Sequence, residues 1–190
     1  MSRQEWDRLA VAMSACIACD LSQSRQRVVP GQYPPGAQVL LVGEAPGREE
    51  DEGGEPFVGR SGRLLDGLLA DVGLDRAGMA VVNTVKCRPP ANRTPKRAEM
   101  ATCRPWLDQQ VEAVDPAVVV TLGGSALSWA FGTGHRLRDM RGRVHSDAAV
   151  GRPVVATYHP SAALRFGPAG EPLAALRADL AMVAGLLDTA

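Results

Sequence analysis

Residues 38–43 read QVLLVG, and the apolar positions of this run do not alternate with polar ones. Such a run is typical of a strand that is covered on both faces. Three further runs have the same character: Met79–Val85 (MAVVNTV), Ala117–Gly123 (AVVVTLG) and Pro153–Tyr158 (PVVATY). The four runs predict the strands of one central sheet.

Helical patterns lie between and around these runs, at Gln4–Cys16, Arg63–Val72, Thr94–Val114, Ser125–Phe131 and Pro172–Leu187. Thr94 is a suitable N-cap for its helix, with Pro95 at the first helical position. Strands that alternate with helices predict an α/β fold, a three-layer α/β/α sandwich around a four-stranded, mainly parallel sheet. Residues 1–190 contain no internal repeat and no low-complexity linker, so we expect a single domain.

The composition excludes several classes of protein. Hydrophobic residues make up 45% of the chain and charged residues 22%, close to the globular average, which excludes a disordered or fibrous protein. No apolar run reaches the roughly 20 residues that a bilayer span needs. The segment Met1–Asp20 lacks the basic-then-apolar order of a secretory signal. We therefore expect a cytoplasmic protein without membrane contact, and a monomer by default.

The charges balance at 21 basic and 21 acidic residues, but they are segregated along the chain. Six cations and one acid lie within Lys86–Arg104, and Arg136–Arg152 holds five arginines. Arginine is well suited to phosphate contacts. The neutral total therefore does not exclude a polyanionic partner. The six acids of Glu44–Glu55 lack an ordered ligand spacing, and we interpret them as a solvated face.

Polar residues and glycines mark the ends of the predicted strands. Glu44 follows the first strand, Asn83 lies in the second, Gly123–Ser125 follow the third, and His159 follows the fourth. Because ligands bind beyond the carboxyl ends of parallel strands, these groups are expected to converge on one edge. Taken singly, each could be structural, as a cap, a loop anchor or a half-buried histidine. Their convergence favours a functional site.

Phe57 stands apart from any amphipathic pattern, among the turn-forming residues 54–59 (GEPFVG). It could plug the loop onto the core, or it could be an aromatic platform for a flat ligand. Composition alone does not separate these two interpretations.

The four cysteines are Cys16, Cys19, Cys87 and Cys103. The first two form a C-x-x-C motif, and fifteen residues separate the other two. In an intracellular chain such a quartet indicates tetrahedral zinc or an iron–sulfur cluster in a structural role. A redox pair fits less well, because the C-x-x-C motif does not follow a strand.

Read in order, these segments resemble the family 4 uracil-DNA glycosylases. The resemblance extends from Cys16 to Arg165. It is carried by the four cysteines together with GEAPG (43–47), PFVGRSG (56–62), NTVKCRPP (83–90) and HPS (159–161).

The resemblance implies a [4Fe–4S] cluster on Cys16, Cys19, Cys87 and Cys103. It also implies that uracil is flipped out of single- or double-stranded DNA and that its N-glycosidic bond is cleaved.

The resemblance also implies roles for single residues. Phe57 would stack on the base, and the Asn83 amide would pair with O4 and N3–H. His159 would hydrogen-bond O2 of the leaving uracil. Glu44 would position or activate water, or would only order its loop.

Other residues would line the pocket or face DNA. The pocket residues would be Gly43, Ala45, Gly47 and Ser161, with Ala45 standing where related glycosylases carry an aspartate. The DNA-facing residues would be Arg88, Arg93, Leu164 and Arg165. The residue that wedges the duplex would be Ala163 or Leu164, and we favour Leu164.

Two other functions remain possible on the sequence alone. A relative of the same superfamily could capture uracil-DNA covalently without turnover, although residues 86–96 lack the histidine-bearing insertion of that subgroup. A zinc-bearing nucleotide-binding protein would explain the sheet, but it would leave Phe57, Asn83 and His159 unexplained.

Overall fold

The structure is a computed structural model that describes residues 3–146 and 148–187. Within them, strands and helices alternate along the chain. The strands are β1 (Val39–Gly43), β2 (Ala80–Asn83), β3 (Val118–Leu122), β4 (Val144–His145) and β5 (Val154–Thr157). The helices are α1 (Arg3–Ser14), α2 (Arg48–Gly53), α3 (Arg60–Asp71), α4 (Arg97–Val114), α5 (Gly124–Phe131), α6 (Leu137–Met140), α7 (Pro160–Phe166) and α8 (Glu171–Leu187).

The strands form one sheet in the order β2-β1-β3-β5-β4. Strand β1 runs parallel to β2 and β3, and β3 runs parallel to β5. Gly43 lies opposite Asn83, and Leu122 lies opposite Thr157, so the carboxyl ends of these strands are level. The mainly parallel α/β fold is confirmed.

The predicted number of four strands is wrong, because a fifth strand, β4, pairs antiparallel with β5 at the edge of the sheet. Strand β4 has only two residues, one of them a histidine. It is therefore too short to produce an apolar run in the sequence.

The sheet is covered on both faces, as the unbroken apolar runs predict. Leu40 and Val42 pack with residues of α1, α4 and α5 on one face. Val39 and Leu41 pack with residues of α3, α7 and α8 on the other. None of the helices within residues 3–146 and 148–187 is long and apolar enough to cross a membrane.

Helix α4 begins at Arg97, three residues after the predicted cap at Thr94. The Glu99 carboxylate accepts a hydrogen bond from the Lys96 main-chain N–H at 2.7 Å. This bond satisfies a free donor at the N-terminus, so Lys96 rather than Thr94 ends the extended segment.

The acidic run contains a helix, α2, that the sequence did not predict. Asp51 in this helix is 1% exposed and accepts hydrogen bonds from the main-chain N–H groups of Gln26 and Arg27, at 2.9 and 3.2 Å. The interpretation of the whole run as a solvated face is therefore wrong at Asp51, whose carboxylate holds the Gln26–Arg27 segment in place.

The arginine-rich segment is also partly structural. Arg141 forms a two-pronged ion pair with Asp179 of α8, with both N–O distances 3.1 Å. The Asp179 side chain is 1% exposed and that of Arg141 is 22% exposed. Arg141 is therefore committed to the packing of α8 and is not available to an external anion.

We expect Asp179→Ala to lower the free energy of unfolding by about 3 kcal/mol, because it leaves the Arg141 charge partly buried without its anionic partner. Urea unfolding measures this loss. Asp71→Ala is the matched control, since it breaks an ion pair between Asp71 and Arg177 of the same helix, α8, in which both side chains are about half exposed. Its expected cost is below about 1 kcal/mol. Equal losses in the two variants would contradict this assignment.

Candidate active site

The level carboxyl ends of the parallel strands bring Gly43, Asn83 and His159 to one edge of the sheet. A side chain at Gly43 would collide with the Asn83 amide oxygen and would lie 2.6 Å from Cζ of Phe57. A side chain at Gly123, where φ is +91°, would lie 3.1 Å from Cβ of His159. Glycines at these two strand ends therefore leave room for Phe57, Asn83 and His159 to converge.

Phe57 packs both on the core and towards the site. Its side chain is 5% exposed, and its ring centroid lies 5.7 Å from that of His159. Its φ of +55° is unusual for a residue with a side chain, and its main-chain carbonyl accepts a hydrogen bond of 2.9 Å from Arg76. The two interpretations of Phe57 are therefore compatible, since the same ring anchors the loop and forms a wall of the site.

The loop that carries Phe57 is closed by one carboxylate. Glu50 accepts hydrogen bonds from the main-chain N–H groups of Gly47 and Gly59, at 3.0 and 2.8 Å. Gly47 was expected to contact substrate, but its N–H is engaged by Glu50 and is not free to bind a ligand.

His159 is held in one tautomer. Its Nδ1 accepts a hydrogen bond from the Ser161 main-chain N–H at 3.1 Å and lies 2.8 Å from the Ser161 hydroxyl. Because a main-chain N–H can only donate, Nδ1 carries no proton and Nε2 carries one. Burial lowers the pKa of His159 to about 4, so that the ring is neutral at pH 7.

Glu44 lies half-buried directly after β1. Its carboxylate accepts a hydrogen bond of 2.6 Å from the hydroxyl of Ser125, in the first turn of α5. Its main-chain carbonyl accepts a second bond of 2.6 Å from the Thr84 hydroxyl. Sequence reasoning placed Ser125 at this edge but gave it no role; its contact with Glu44 depends on the pairing of β1 with β3.

Asn83 ends β2 with a side chain that is 3% exposed. Among the residues that the structure describes, none forms a hydrogen bond with its side-chain amide. A buried amide normally has partners. The donor and the acceptor of Asn83 are therefore available to a ligand.

Helix α7 carries the candidate wedge residues. Ala163 is 4% exposed and packs in the core, whereas Leu164 is 39% exposed and Arg165 is exposed next to it. Of the two wedge candidates, only Leu164 can therefore reach an external ligand. Phe166, which the sequence analysis did not single out, is 65% exposed at the end of the same helix.

The two arginines expected to contact DNA differ in their partners. Arg93 forms a two-pronged ion pair with the buried Glu99, with N–O distances of 2.6 and 2.9 Å. This contact lowers the pKa of Glu99 and raises that of Arg93. Within the part of the chain that the structure describes, the Arg88 guanidinium donates a hydrogen bond to the side chain of Asn92 alone, at 2.7 Å. Arg93 therefore holds the start of α4, and Arg88 is the better candidate for a phosphate contact.

The four cysteines line one cavity. Cys87 and Cys103 are buried, while Cys16 and Cys19 are half-buried, and all four are free thiols. Apolar parts of the wall come from Met13, Val28 and Trp106. Within residues 3–146 and 148–187, no three His, Cys, Asp or Glu side chains form a group that could hold a single metal ion.

Two cations flank these thiols. Arg25 donates a hydrogen bond of 3.3 Å to Sγ of Cys87, and the buried Lys86 lines the same cavity. Burial raises the pKa of Cys87 to about 11 and lowers that of Lys86 to about 8, and each effect is opposed by the cation–thiol attraction. A thiol ligand binds metal as a thiolate. Four thiols flanked by two cations therefore fit a cofactor that binds several thiolates.

Known proteins share much of this sequence. The family model described as the uracil DNA glycosylase superfamily matches residues 30–181. A type-4 uracil-DNA glycosylase from Thermotoga maritima is 44% identical over 151 residues, which cover 79% of this chain and 78% of that protein. The type-4 enzyme from Archaeoglobus fulgidus is 39% identical over 83% of this chain and 82% of its own length. A type-5 enzyme from Thermus thermophilus is 32% identical over 71% of this chain and 69% of its own length.

Gly62 gives a test of how Phe57 is held. A Cβ at Gly62 would overlap the Phe57 main-chain carbonyl and lie 2.9 Å from its Cα. We expect Gly62→Ala to lower the free energy of unfolding by about 1–3 kcal/mol, because the Phe57 loop must move. Thermal unfolding measures this change. Gly67→Ala in the same helix meets no atom within 4 Å and should be neutral or stabilising by up to about 1 kcal/mol. A Gly62→Ala protein as stable as Gly67→Ala would show that the loop is not held as described.

Proposed function

This chain belongs to the uracil-DNA glycosylase superfamily, in its type-4 branch, and we propose that it hydrolyses the N-glycosidic bond of deoxyuridine in DNA. The bond between C1′ of the sugar and N1 of uracil breaks, and water supplies the new oxygen at C1′. The products are free uracil and an abasic site. The observation that carries the proposal is the convergence of His159, Phe57 and a buried Asn83 amide that forms no hydrogen bond with any residue the structure describes.

We propose that Phe57 and Asn83 recognise the flipped base. A base inside a duplex is out of reach of a pocket, so it must leave the stack at a cost of a few kcal/mol. The Phe57 ring would stack on uracil, while the Asn83 amide would donate to O4 and accept from N3–H. Cytosine presents a donor where uracil presents O4, and the buried amide would be left mismatched, which gives strong discrimination.

We propose that His159 stabilises the leaving group. Negative charge develops on O2 of uracil as the glycosidic bond breaks, and the Nε2–H of His159 would donate to it. The bonds from Ser161 to Nδ1 orient the ring before the reaction begins. A fixed donor of this kind in a water-poor site contributes about 3–4 kcal/mol to transition-state stabilisation.

We propose that Glu44 positions the attacking water. Ser125 holds its carboxylate, and an anion there would also stabilise the positive charge that develops on the sugar. Ala45 lacks a carboxylate and packs with the apolar residues around the cysteine cavity. Glu44 is thus the residue of the GEAPG segment whose carboxylate could bind the attacking water. Gly43 would lie against the base, because it has no side chain that would block the pocket.

For DNA, we propose that Arg88 and Arg165 contact phosphates and that Leu164 fills the space of the flipped base. The exposure of Leu164 and the lack of a carboxylate partner for Arg88 among the described residues support these roles.

We propose that the four cysteines hold a [4Fe–4S] cluster. The support is chemical, since four thiols line one cavity next to two cations and the type-4 relatives match over most of the chain. When bound, the cluster would cross-link the segment after α1, the segment after β2 and α4 through iron–thiolate bonds, and no step of the hydrolysis passes through it. We further propose a monomeric, single-domain enzyme of the cytoplasm, where thiols stay reduced.

The activity is tested with a uracil-containing oligonucleotide, followed by alkaline cleavage at the abasic site. We expect His159→Ala to lower the single-turnover rate about 100- to 1,000-fold. Asn83→Ala should lower it by at least about tenfold, because a buried hydrogen-bond pair is lost. His135→Ala, at an exposed histidine outside the site, is the matched control and should cleave at the unchanged rate. Near-normal rates in His159→Ala and Asn83→Ala would overturn the site, and an adduct stable to denaturation would indicate capture without turnover.

The cofactor is tested by elemental analysis of protein purified without oxygen. We expect about four iron and four sulfide ions per chain, and loss of most of the iron in Cys103→Ser, because one thiolate ligand is removed. Ala101→Ser, at an exposed position in the same helix, should retain its iron. One zinc ion per chain without iron or sulfide would contradict the cluster.

A further inference from the structure

Lys86 has the largest volume among the fully buried side chains that the structure describes. It is one of the six cations of the Lys86–Arg104 run, and its burial keeps it from contacting an external polyanion. A lysine is almost never fully buried unless it is paired. The proposed hydrolysis gives Lys86 no role, so its burial needs a separate explanation.

The partners of Lys86 lie at two sites. Its Nζ donates a hydrogen bond of 2.6 Å to the main-chain carbonyl of Asn83. Its side chain also lines the cysteine cavity, together with Cys87 and Cys103. Within residues 3–146 and 148–187 it forms no ion pair with a carboxylate. A carbonyl alone does not compensate a buried ammonium, and cysteine thiolates that bind a cofactor in the same cavity would supply the missing negative charge.

The segment around Lys86 also joins the two sites through its main chain. Val85 donates its N–H to the Glu44 carbonyl at 3.3 Å, alongside the bond from the Thr84 hydroxyl. Cys87 follows Lys86 directly. The segment Asn83–Cys87 therefore begins at the residue proposed to bind the base and ends at the cysteine cavity. Between these two points it bonds to the main chain of Glu44.

We propose that Lys86 is a positioning residue that couples the cysteine site to base recognition. Thiolates at the cysteine site hold the ammonium, and the ammonium holds the Asn83 carbonyl, which fixes the direction of the Asn83 amide. The inference rests on the proposed function. It gives the cofactor site an effect on uracil affinity in addition to its effect on stability.

Arg25 provides a matched comparison. It contacts the same cysteine site from another side, through its bond to Cys87 Sγ and a bond of 2.8 Å to the Cys16 carbonyl. No described contact joins Arg25 to Asn83. Removing the Arg25 charge should therefore alter the cluster but not the base pocket.

The experiment compares Lys86→Met, Lys86→Gln and Arg25→Met with the wild-type holoprotein at equal iron content. The dissociation constant of free uracil is measured by calorimetry, and the reduction potential of the cluster by protein-film voltammetry. All three variants should have a more negative potential, because a cation near the thiolates is lost.

The uracil affinity separates the variants. Lys86→Met should bind uracil about tenfold more weakly, because the charged hydrogen bond to Asn83 is lost. Lys86→Gln retains a donor and should recover part of that affinity. Arg25→Met should bind uracil as the wild type does.

The proposal is overturned if iron-loaded Lys86→Met binds uracil within about twofold of the wild type, or if Arg25→Met loses affinity equally. Should neither Lys86 variant retain iron, the wild type is stripped with a chelator while circular dichroism monitors its fold. Unchanged uracil affinity after stripping would then overturn the coupling, and a loss of about tenfold would support it. A wild-type holoprotein that does not release uracil from DNA would contradict the proposed function instead.

Discussion

The parallel hydrogen bonding of β1 to β2 on one side and to β3 on the other is the constraint on which the rest depends. It requires crossover helices, which cover both faces and account for the complete burial of β1. It also sets the carboxyl ends of the strands level, so that residues far apart in sequence meet at one edge. The Ser125–Glu44 bond spans 81 positions and forms because β1 and β3 are neighbours.

The parts of the fold that the sequence predicts are those governed by local pattern. The four long strands and the central helices have continuous apolar runs or helical periodicity, and their ends differ from the structure by a few residues. Strand β4 is too short to have a period. Helix α2 lies in a run of acids, and the burial of Asp51 within it depends on contacts with the distant Gln26–Arg27 segment. The start of α4 moves from Thr94 because Glu99, three residues after the cap residue Lys96, accepts a hydrogen bond from the Lys96 main-chain N–H.

The candidate site shows the same division. The convergence of Glu44, Asn83 and His159 follows from topology and could be predicted from the order of strands and motifs. Whether each charged side chain is buried or exposed could not be predicted from the sequence. Lys86 and Arg93 look alike in a basic run, yet one is buried beside thiols and the other is neutralised by a buried carboxylate. Closeness in the sequence does not show how buried a side chain is. Burial decides whether a cation can contact an external ligand or pairs with groups inside the protein.

Glu50 closes the loop that carries Phe57 by accepting hydrogen bonds at both of its ends, Gly47 and Gly59. One side chain therefore holds the two ends of the loop at a fixed separation, whether or not a ligand is bound. The conformational entropy of ordering the aromatic wall is lost when the protein folds rather than when it binds. The free energy of the stacking that we propose for Phe57 would then offset the cost of extracting a base from DNA, because the surface that receives the base is already ordered.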